Sequence, residues 1–216
     1  MNKKRAGSVF VVIGAVLMLS ALLLFIYNTI EAKLAGNASQ EALSTIHEMI
    51  EKPEISVEKN DTISSDEVSE TTAPTEVSAV TEPEKLEVVT VEWYDYIGYL
   101  SIPAFDLELP VQATISEDRL YKSPCLEFGT PMTNDAVIAG HNYKYHFLPL
   151  HNISVGEKLF FTYMNGFTVS YEVVKSLIIA PSDIAAVEQS DHDLVLYTCT
   201  SGGASRVAVF CDRTIH

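Results

Sequence analysis

Apolar and polar residues are distributed very unevenly along this chain of 216 residues. No charged side chain occurs between Ala6 and Ile30, and the stretch Val9–Tyr27 is almost wholly apolar. A helix of about 20 residues, at about 1.5 Å rise per residue, crosses the roughly 30 Å hydrocarbon core of a bilayer. The pattern therefore predicts a transmembrane helix at residues 8–30.

Charged side chains flank this apolar segment asymmetrically. Lys3, Lys4 and Arg5 precede it, and Glu31 follows it. Because basic residues are retained on the cytoplasmic side of a membrane, we expect residues 1–7 in the cytoplasm and the rest of the chain outside the cell. A cleaved secretory signal is the alternative, but its apolar core usually spans only about 7–15 residues. The length of the segment favours an uncleaved anchor.

Two polar segments separate the anchor from the remaining sequence. Leu43, Ile46 and Ile50 recur at helical spacing, which predicts a juxtamembrane helix over residues 31–52 with a thin apolar stripe. Residues 53–87 contain no aromatic side chain and are dominated by Glu, Ser, Thr, Val and Pro. Such a segment buries too little apolar surface to offset the entropy of ordering, so we expect a disordered acidic linker.

The negative charge of the chain is concentrated in that linker. The formal net charge is −15, and the stretch from Glu51 to Glu87 holds eleven acidic and three basic residues. More than half of the excess charge therefore lies in the linker and says little about a substrate. Net negative charge and the expected external location both disfavour a nucleic-acid partner.

From residue 88 to 216, short β-favouring runs alternate with turn residues, and helical periodicity is scarce. Seven runs are strand candidates: Tyr96–Ile102, Glu108–Gln112, Ala136–Ala139, Lys158–Thr162, Thr168–Ile178, Asp193–Thr198 and Arg206–Arg213. Asn165-Gly166 is a strong hairpin signal, and short helices are expected at Asp118–Tyr121 and Ala180–Gln189. Seven or eight such strands predict an all-β domain built as a closed or nearly closed barrel.

Two apolar runs end in side chains that can carry chemistry. Cys199 ends one run, a Ser/Gly loop turns the chain, and Arg206 opens the next run, which should place both at the same end of neighbouring strands. Only a thiolate is strongly nucleophilic, and a free thiol titrates near about 8.5. A permanently charged arginine can favour the thiolate or stabilise an oxyanion. His141 ends another apolar run, after Gly140, and could exchange a proton.

Other side chains compete for these roles. His192 precedes the cysteine by seven residues and is the second candidate for the histidine. Arg213 lies on the same strand as Arg206, but about 23 Å away at about 3.3 Å per residue and on the opposite face. Only one of the two arginines can therefore lie beside the Cys199 thiol, and Arg206 is the nearer one. His146 and His151 are expected to shape the loop that follows the histidine strand.

Three cysteines in an external domain leave at least one unpaired. A Cys125–Cys211 disulfide is one arrangement, and two reduced, buried thiols are the arrangement that we favour. Cys199 is the remaining cysteine in either case. We expect no metal site, because the sequence contains no His-x-x-x-His or Cys-x-x-Cys spacing and no glycine-punctuated calcium loop.

Three segments of the chain resemble motifs of one known family. Ile138–Asn142 and Tyr197–Cys199, with Arg206 opening the next strand, closely resemble the sortases, which are cysteine transpeptidases of Gram-positive cell surfaces. Tyr96–Pro103 resembles the opening strand of that family. The motifs follow one another in the family's order over about residues 96–213.

The resemblance implies a fold and a set of roles. Residues 88–216 would form a closed eight-stranded sortase-type β-barrel with short helices. Cys199 would be the nucleophile, Arg206 would stabilise the oxyanion, and His141 would act as general acid and base. Thr198 would contribute to substrate binding through its backbone or hydroxyl, and no cofactor is implied.

The implied function is that of a single-pass enzyme of the cell membrane with an extracellular catalytic domain. It would cleave a Leu-Pro-x-Thr-Gly-like sorting signal of secreted proteins through a thioacyl intermediate on Cys199. The acyl group would pass to an amine of a peptidoglycan precursor or of a pilin. A thiol hydrolase or protease of the same fold is one alternative, and a non-catalytic, stalked surface-binding module is another.

The resemblance also bears on the class of sortase and on its specificity. Some pilus-building sortases carry a lid with an Asp-Pro-aromatic motif, and this chain lacks it, which favours the non-pilus class. The residues that recognise the sorting signal are expected on loops. These include Ala113–Met132 and Ala180–Asp191.

Overall fold

The computed structural model describes residues 3–52, 80–183 and 185–214. Most of the linker predicted at residues 53–87, namely residues 53–79, lies outside the described residues. The described chain consists of one long N-terminal helix followed by a domain of short strands. This is the order of elements that the hydrophobic pattern predicts.

A single helix covers both predicted helical segments. Helix α1 runs from Lys3 to Glu51. Most of its large apolar side chains between Phe10 and Ile30 are exposed, because no other part of the described chain packs against them. Among the described residues it is the one helix long and apolar enough to span a membrane. Its sequence and its exposure are compatible with a single-pass anchor.

Nine strands form the domain: β1 (Val89–Val91), β2 (Tyr94–Ile102), β3 (Leu107–Gln112), β4 (Cys125–Phe128), β5 (Ala136–Ala139), β6 (Lys158–Tyr163), β7 (Thr168–Ile179), β8 (Leu194–Cys199) and β9 (Arg206–Arg213). Two short α-helices, α2 (Glu117–Leu120) and α3 (Ala185–Glu188), and two 3-10 turns at Pro103–Phe105 and Leu148–Asn152 connect them. Each of the seven predicted strands is present, with ends within two residues of the prediction. Strands β1 and β4 were not predicted.

The sheet closes on itself through β2. The strand order is β1-β2-β3-β4-β5-β8-β9-β7-β6, and β2 also pairs with β6. The first residues of β2 pair with β1 and its last residues pair with β6 along the same edge, while β3 occupies the other edge. Strands β2 to β9 therefore form a closed eight-stranded barrel, which confirms the predicted fold class, and β1 is an additional short strand.

Apolar side chains lie on both faces of the barrel wall. The interior is filled by alternate residues of the strands, such as Ile97, Ile138, Leu196 and Val209, each fully buried. A second apolar cluster lies on the outer face of β5, β8 and β9. Its members are Val137, Ala139, Val187, Val195, Tyr197, Ala208 and Phe210. The outer cluster extends to the strand ends that carry the candidate catalytic residues.

The part of α1 beyond the apolar segment packs against the barrel. Small and aliphatic side chains on one side of the helix are buried there: Ala35, Ser39, Ala42, Leu43 and Ile46. Ala42 and Ile46 belong to an apolar cluster with Val91, Tyr96 and Met164 of the barrel. The thin apolar stripe of the predicted juxtamembrane helix is thus part of a docking face, which small residues complete.

The two ends of the described chain on either side of the linker meet at one turn of the barrel. A methyl group of Ile50, near the end of α1, lies close to Gly166 in the β6–β7 turn. The amide of Asn165 in the same turn donates a hydrogen bond to the carbonyl of Thr81, at 3.0 Å. The part of α1 beyond the apolar segment therefore contacts the barrel as far as Ile50 and is not joined to it only through the linker.

Candidate active site

Strand pairing brings His141, Cys199 and Arg206 to one end of the barrel. Cys199 and Arg206 are register partners in the antiparallel pair β8–β9. Strand β5 runs parallel to β8 with Ala139 opposite Tyr197, so His141 and Cys199 both lie two positions beyond that pair. The ladder continues past the strand, because the backbone N–H of Gly140 donates to the Tyr197 carbonyl at 3.1 Å.

The three side chains also share one face of the sheet. Residues two apart in a strand point to the same side. On β8, Val195 and Tyr197 belong to the outer cluster, and Cys199 continues that series. Val137 and Ala139 lead to His141 in the same way, and Arg206 lies two positions before Ala208 of the outer cluster. A thiol, an imidazole and a guanidinium therefore border the same outer surface on three neighbouring strands.

The chain after each strand is fixed by polar contacts and close packing. The amide of Asn142, next to the histidine, donates to the carbonyl of Thr200, next to the cysteine, at 3.4 Å. Gly140 allows the ring of Phe147 to pack directly on the backbone, since a Cβ at this position would lie 2.5 Å from the ring. These contacts hold the loops that follow His141 and Cys199 side by side.

The environments of the three cysteines differ. Cys199 is partly exposed, whereas Cys125 and Cys211 are fully buried, and the three thiols are unbridged. Burial raises the pKa of Cys125 to about 12 and raises that of Cys211 as well. Both buried thiols therefore stay protonated at neutral pH, and the favoured arrangement of two reduced, buried thiols is the one observed. Cys199 is the cysteine that a substrate can reach.

His141 lies in an aromatic environment. Its ring is 4.8 Å from that of Tyr143 and 4.9 Å from that of Tyr121. Burial lowers the pKa of His141, and the carboxylates of Glu31 and Glu117 oppose that shift. Its Nε2 atom is buried and has no hydrogen-bond partner within the described residues. Glu31 belongs to α1, which thereby contributes charge to the site.

Arg206 is held by its own loop. One guanidinium nitrogen donates to the carbonyl oxygens of Gly203 and Ser205, at 3.1 Å each. Its backbone is paired with that of Cys199, so the guanidinium can reach the thiol side by rotation of the side chain alone. Thr198 is placed differently: it is buried, and the alternation along β8 directs its side chain into the barrel, opposite to Cys199.

Two further side chains touch the site that sequence reasoning did not select. The Nε2 atom of His151, on the 3-10 turn after the histidine loop, lies 3.1 Å from the carbonyl oxygen of Cys199. The hydroxyl of Tyr197 donates to the carboxylate of Glu127 on β4. Burial and this hydrogen bond raise the pKa of Tyr197, which therefore remains a donor at neutral pH. No local sequence pattern predicts these contacts, because each joins residues that are far apart in the chain.

The competing residues lie at the other end of the barrel. His192 precedes the first residue of β8 and pairs with Asp212, with 2.7 Å between Nδ1 and the carboxylate. Arg213 ends β9 and binds Glu82 through two nitrogens, at 2.9 and 2.7 Å. The structure thus separates both from Cys199. Among the described residues, no group of three or more His, Cys, Asp or Glu side chains is placed to hold a metal ion.

A family model for the sortase domain matches residues 100–214, which is more than half of the chain and includes the three candidate residues. The chain belongs to the sortase family. A search of curated proteins gave no match. The predicted family membership is therefore confirmed by the family model, and the strands that carry the catalytic candidates of this sortase lie inside the matched region.

Solved sortase structures share the fold. Sortase C1 from Streptococcus suis is 25% identical, with a TM-score of 0.51, and the match covers 56% of this chain and 74% of that one. Sortase C from Streptococcus pneumoniae is 26% identical, with a TM-score of 0.51, and covers 56% and 70%. Sortase A from Corynebacterium diphtheriae is 23% identical, with a TM-score of 0.52, and covers 57% and 62%. Both sortases C and a sortase A are similar to this chain, so the comparisons do not assign its class.

Proposed function

We propose that this sortase is a membrane-anchored cysteine transpeptidase that cleaves a Leu-Pro-x-Thr-Gly-like sorting signal and transfers the acyl group to a cell-wall or pilin amine. The observation that carries the proposal is the common placement of Cys199, His141 and Arg206. They lie at one end of three neighbouring strands and on one face of the sheet. This arrangement provides a nucleophile, a proton carrier and an oxyanion partner around one reacting carbonyl.

The first half of the reaction forms a thioester. The Cys199 thiolate attacks the carbonyl carbon of the threonine in the signal, and the carbonyl oxygen becomes an oxyanion that the Arg206 guanidinium stabilises. Such contacts are commonly worth about 3–4 kcal/mol. As the tetrahedral intermediate collapses, the C–N bond breaks and the imidazolium of His141 gives its proton to the departing amine. The acyl group remains on sulfur.

The second half restores the enzyme. An acceptor amine attacks the thioester carbonyl, and the now neutral imidazole of His141 takes its proton. The C–S bond breaks, the sulfur leaves as thiolate and a new amide is formed. The cycle therefore begins and ends with a thiolate and an imidazolium, and it consumes no cofactor.

Burial of His141 works against the imidazolium that this cycle needs. It lowers the pKa of His141, so the fraction of the pair present as thiolate and imidazolium is reduced. We expect a slow enzyme.

The loops beside the outer apolar cluster are the proposed recognition elements. The members of the cluster are buried, so the cluster supports the strands that carry Cys199 and His141 and leaves little surface for a peptide. The loops Ala113–Met132 and Ala180–Asp191 flank this cluster, and Val187 of the second loop packs into it. We assign recognition of the signal to these loops.

Location supports the same function. The exposed apolar segment of α1 would hold the enzyme in the cell membrane, and the basic residues before that segment favour a barrel outside the cell. Secreted substrates and lipid-linked amine acceptors both occur at that surface. Sorting-signal peptides and amine acceptors are therefore the partners that we propose.

Product analysis separates this proposal from its two alternatives. The full chain in detergent is incubated with a panel of Leu-Pro-x-Thr-Gly-like peptides, with and without a glycine-based amine. A transpeptidase gives a new amide in the presence of the amine, and Cys199→Ala gives none. A hydrolase gives the free acid whether or not the amine is added. A surface-binding module leaves each peptide intact and shows no alkylation of Cys199 by iodoacetamide at neutral pH.

A further inference from the structure

The contacts of α1 fix the orientation of the barrel relative to the anchor. A helix rises about 1.5 Å per residue, so Glu51 lies about 32 Å beyond Ile30, where the apolar segment ends. Close to Ile30, the Glu31 carboxylate lies beside Tyr143 of the barrel. Far from it, Ile50 lies against Gly166. The barrel therefore stands parallel to the helix, with one end near the anchor and the other far from it.

The end near the anchor is the one that carries the active site. Tyr143 stacks on His141, with 4.8 Å between the ring centroids. His146, which follows in the same loop, is buried against the backbone of Ala35, less than two helical turns beyond the apolar segment. The opposite end of the barrel carries Arg213 and the β6–β7 turn.

We propose that the active-site end of the barrel rests on the outer surface of the bilayer that holds α1, with the loop Asn142–Tyr145 in contact with the lipid headgroups. The proposal rests on the membrane anchoring inferred above. The partner of the loop Asn142–Tyr145 is then the lipid headgroup layer. The transpeptidation chemistry itself does not use this loop. The catalytic thiol then works at the membrane surface and not in the bulk medium.

Tyrosines at this level support a membrane contact. Tyr27 and Glu31 are one helical turn apart, and both lie near enough to influence Tyr143. Tyr145 and Tyr121 are 42% and 38% exposed at the same end of the barrel. Tyrosine is enriched where a membrane protein passes from hydrocarbon to water, because its ring is apolar and its hydroxyl polar. Four tyrosines therefore lie where the headgroup layer would meet the barrel.

Charge supports the same contact. Lys33 on α1 and Lys144 on the loop are both exposed at this end, and the Lys144 ammonium lies 5.3 Å from the centre of the Tyr145 ring. The negative charge of the chain lies mostly in the linker, and the carboxylates of Glu31 and Glu117 lie at this end beside the lysines. Basic residues next to a transmembrane helix are attracted to anionic lipid headgroups.

Tight packing makes the orientation rigid. Gly36 lies against the Tyr145 side chain, and a Cβ on Gly36 would come within 3.0 Å of its ring. Ala35 and Ser39 on the same side of α1 are buried, so small residues let the loop approach the helix backbone. Because α1 is one uninterrupted helix from the apolar segment to Glu51, the anchor and the barrel move together.

Depth-dependent quenching in liposomes tests the proposal directly. Single cysteines replace two exposed lysines, Lys144→Cys and Lys52→Cys, in a full-length Cys199→Ala background, and each is labelled with a fluorophore. Lys52 follows the end of α1, about 33 Å beyond Ile30, whereas a headgroup layer is about 6 Å thick. A nitroxide on the lipid headgroup should quench the label at 144 strongly and leave the label at 52 near background. A label at Ile30→Cys serves as the reference for insertion.

Equal quenching at 144 and 52, or stronger quenching at 52, would overturn the proposal. So would a label at Ile30→Cys that escapes quenching, because α1 would then not be inserted. The experiment uses a chain without the nucleophile, so its outcome does not depend on the proposed transpeptidation. Failure of the peptide assay and failure of this orientation are therefore distinguishable.

An insertion provides a functional test. Seven polar helix-forming residues placed between Ile30 and Glu31 add two turns, which lifts the barrel by about 10 Å and nearly restores its rotation about the helix axis. The rate with a lipid-linked amine in liposomes should fall, whereas the rate with a soluble amine should stay unchanged. If the rate with the lipid-linked amine equals the rate with the soluble amine both before and after the insertion, the result would contradict an active site at the membrane surface.

Discussion

The ring of Tyr143 stacks on the ring of His141, with 4.8 Å between the centroids and 30° between the planes. The hydroxyl of Tyr143 in turn lies beside the carboxylate of Glu31, which, together with burial, raises the pKa of that tyrosine. Glu31 also acts on His141 directly, since its charge opposes the lowering of the histidine pKa by burial. A residue of α1 thus influences His141, the proposed proton carrier.

Neutralising Glu31 should weaken catalysis through His141. In Glu31→Gln the pKa of His141 falls further, because a charge that favours the imidazolium is lost. The lower pKa reduces the reactive thiolate–imidazolium fraction and moves the acidic limb of the pH–rate profile to lower pH. The rate of acyl-enzyme formation from pH 4 to 9 measures both effects.

Glu48→Gln is the matched control for that variant, because Glu48 is exposed near the far end of α1. It should reproduce the wild-type profile. An acidic limb of Glu31→Gln that stays in place, or moves to higher pH, would show that the anchor helix does not influence His141.

His146 should make the stability of the chain depend on pH. Burial, with a smaller contribution from His141, lowers the pKa of His146 to about 4. In the unfolded chain an ordinary histidine binds its proton below about 6.5. Between these values the unfolded state binds a proton that the folded state does not, so stability is full above about 6.5 and falls by about 3 kcal/mol as the pH drops to about 4.

The variant His146→Phe removes this dependence. Neither ring nitrogen of His146 has a good hydrogen-bond partner within the described residues, so an aromatic hydrocarbon of similar shape fits the site. The thermal midpoints of the variant and the wild type, measured at pH 7 and pH 4.5, should be similar at the higher pH. The variant should be the more stable at the lower pH. An identical fall for both proteins would refute the assignment.

His151 should position the nucleophile through the backbone. Its Nε2 atom lies 3.1 Å from the Cys199 carbonyl oxygen, so the N–H on Nε2 donates to it. Loss of one such hydrogen bond costs about 1 kcal/mol. If that cost is added to the activation free energy of acyl-enzyme formation, the rate decreases about five-fold. His151→Ala should show this decrease in acyl-enzyme formation, and His151→Gln, which keeps a donor, should recover part of it. Equal rates for both variants would argue against a positioning role.

Gly140 should be required for the packing behind His141. An added Cβ would meet the Phe147 ring at 2.5 Å, and such overpacking typically costs about 1–3 kcal/mol. Gly140→Ala should therefore lower the thermal midpoint, and the double variant with Phe147→Leu should regain part of the loss. A double variant whose loss equals the sum of the two single losses would show that the two residues are not coupled.

The barrel and the placement of Cys199 beside Arg206 could be predicted from the sequence because their signals are local. Val195, Tyr197 and Cys199 alternate with interior residues, and the chain turns sharply at the Ser/Gly loop before Arg206. Strand β4 escaped prediction because it has only four residues and carries a charged one, Glu127, on its outer face. Such a strand is stabilised by its neighbours and not by its own pattern.

The docking of α1 could not be predicted for a different reason. Its buried face includes Ala35, Gly36 and Ser39, which add little to an apolar stripe and yet permit close approach of the barrel. The contact between His151 and the Cys199 backbone joins segments 48 residues apart. Patterns of period two or 3.6 report which face of an element is apolar, but they do not report what covers it.

Intact mass spectrometry of the acyl-enzyme tests the central claim most directly. The full chain in detergent is mixed with Leu-Pro-x-Thr-Gly-like peptides, beside Cys199→Ala, His141→Ala and Arg206→Ala. The account predicts an adduct equal to the peptide up to its threonine on the wild-type chain, none on Cys199→Ala, and a much reduced amount on the other two variants. An adduct that persists on Cys199→Ala, or a folded wild-type chain that forms none while Cys199 also resists alkylation, would contradict it.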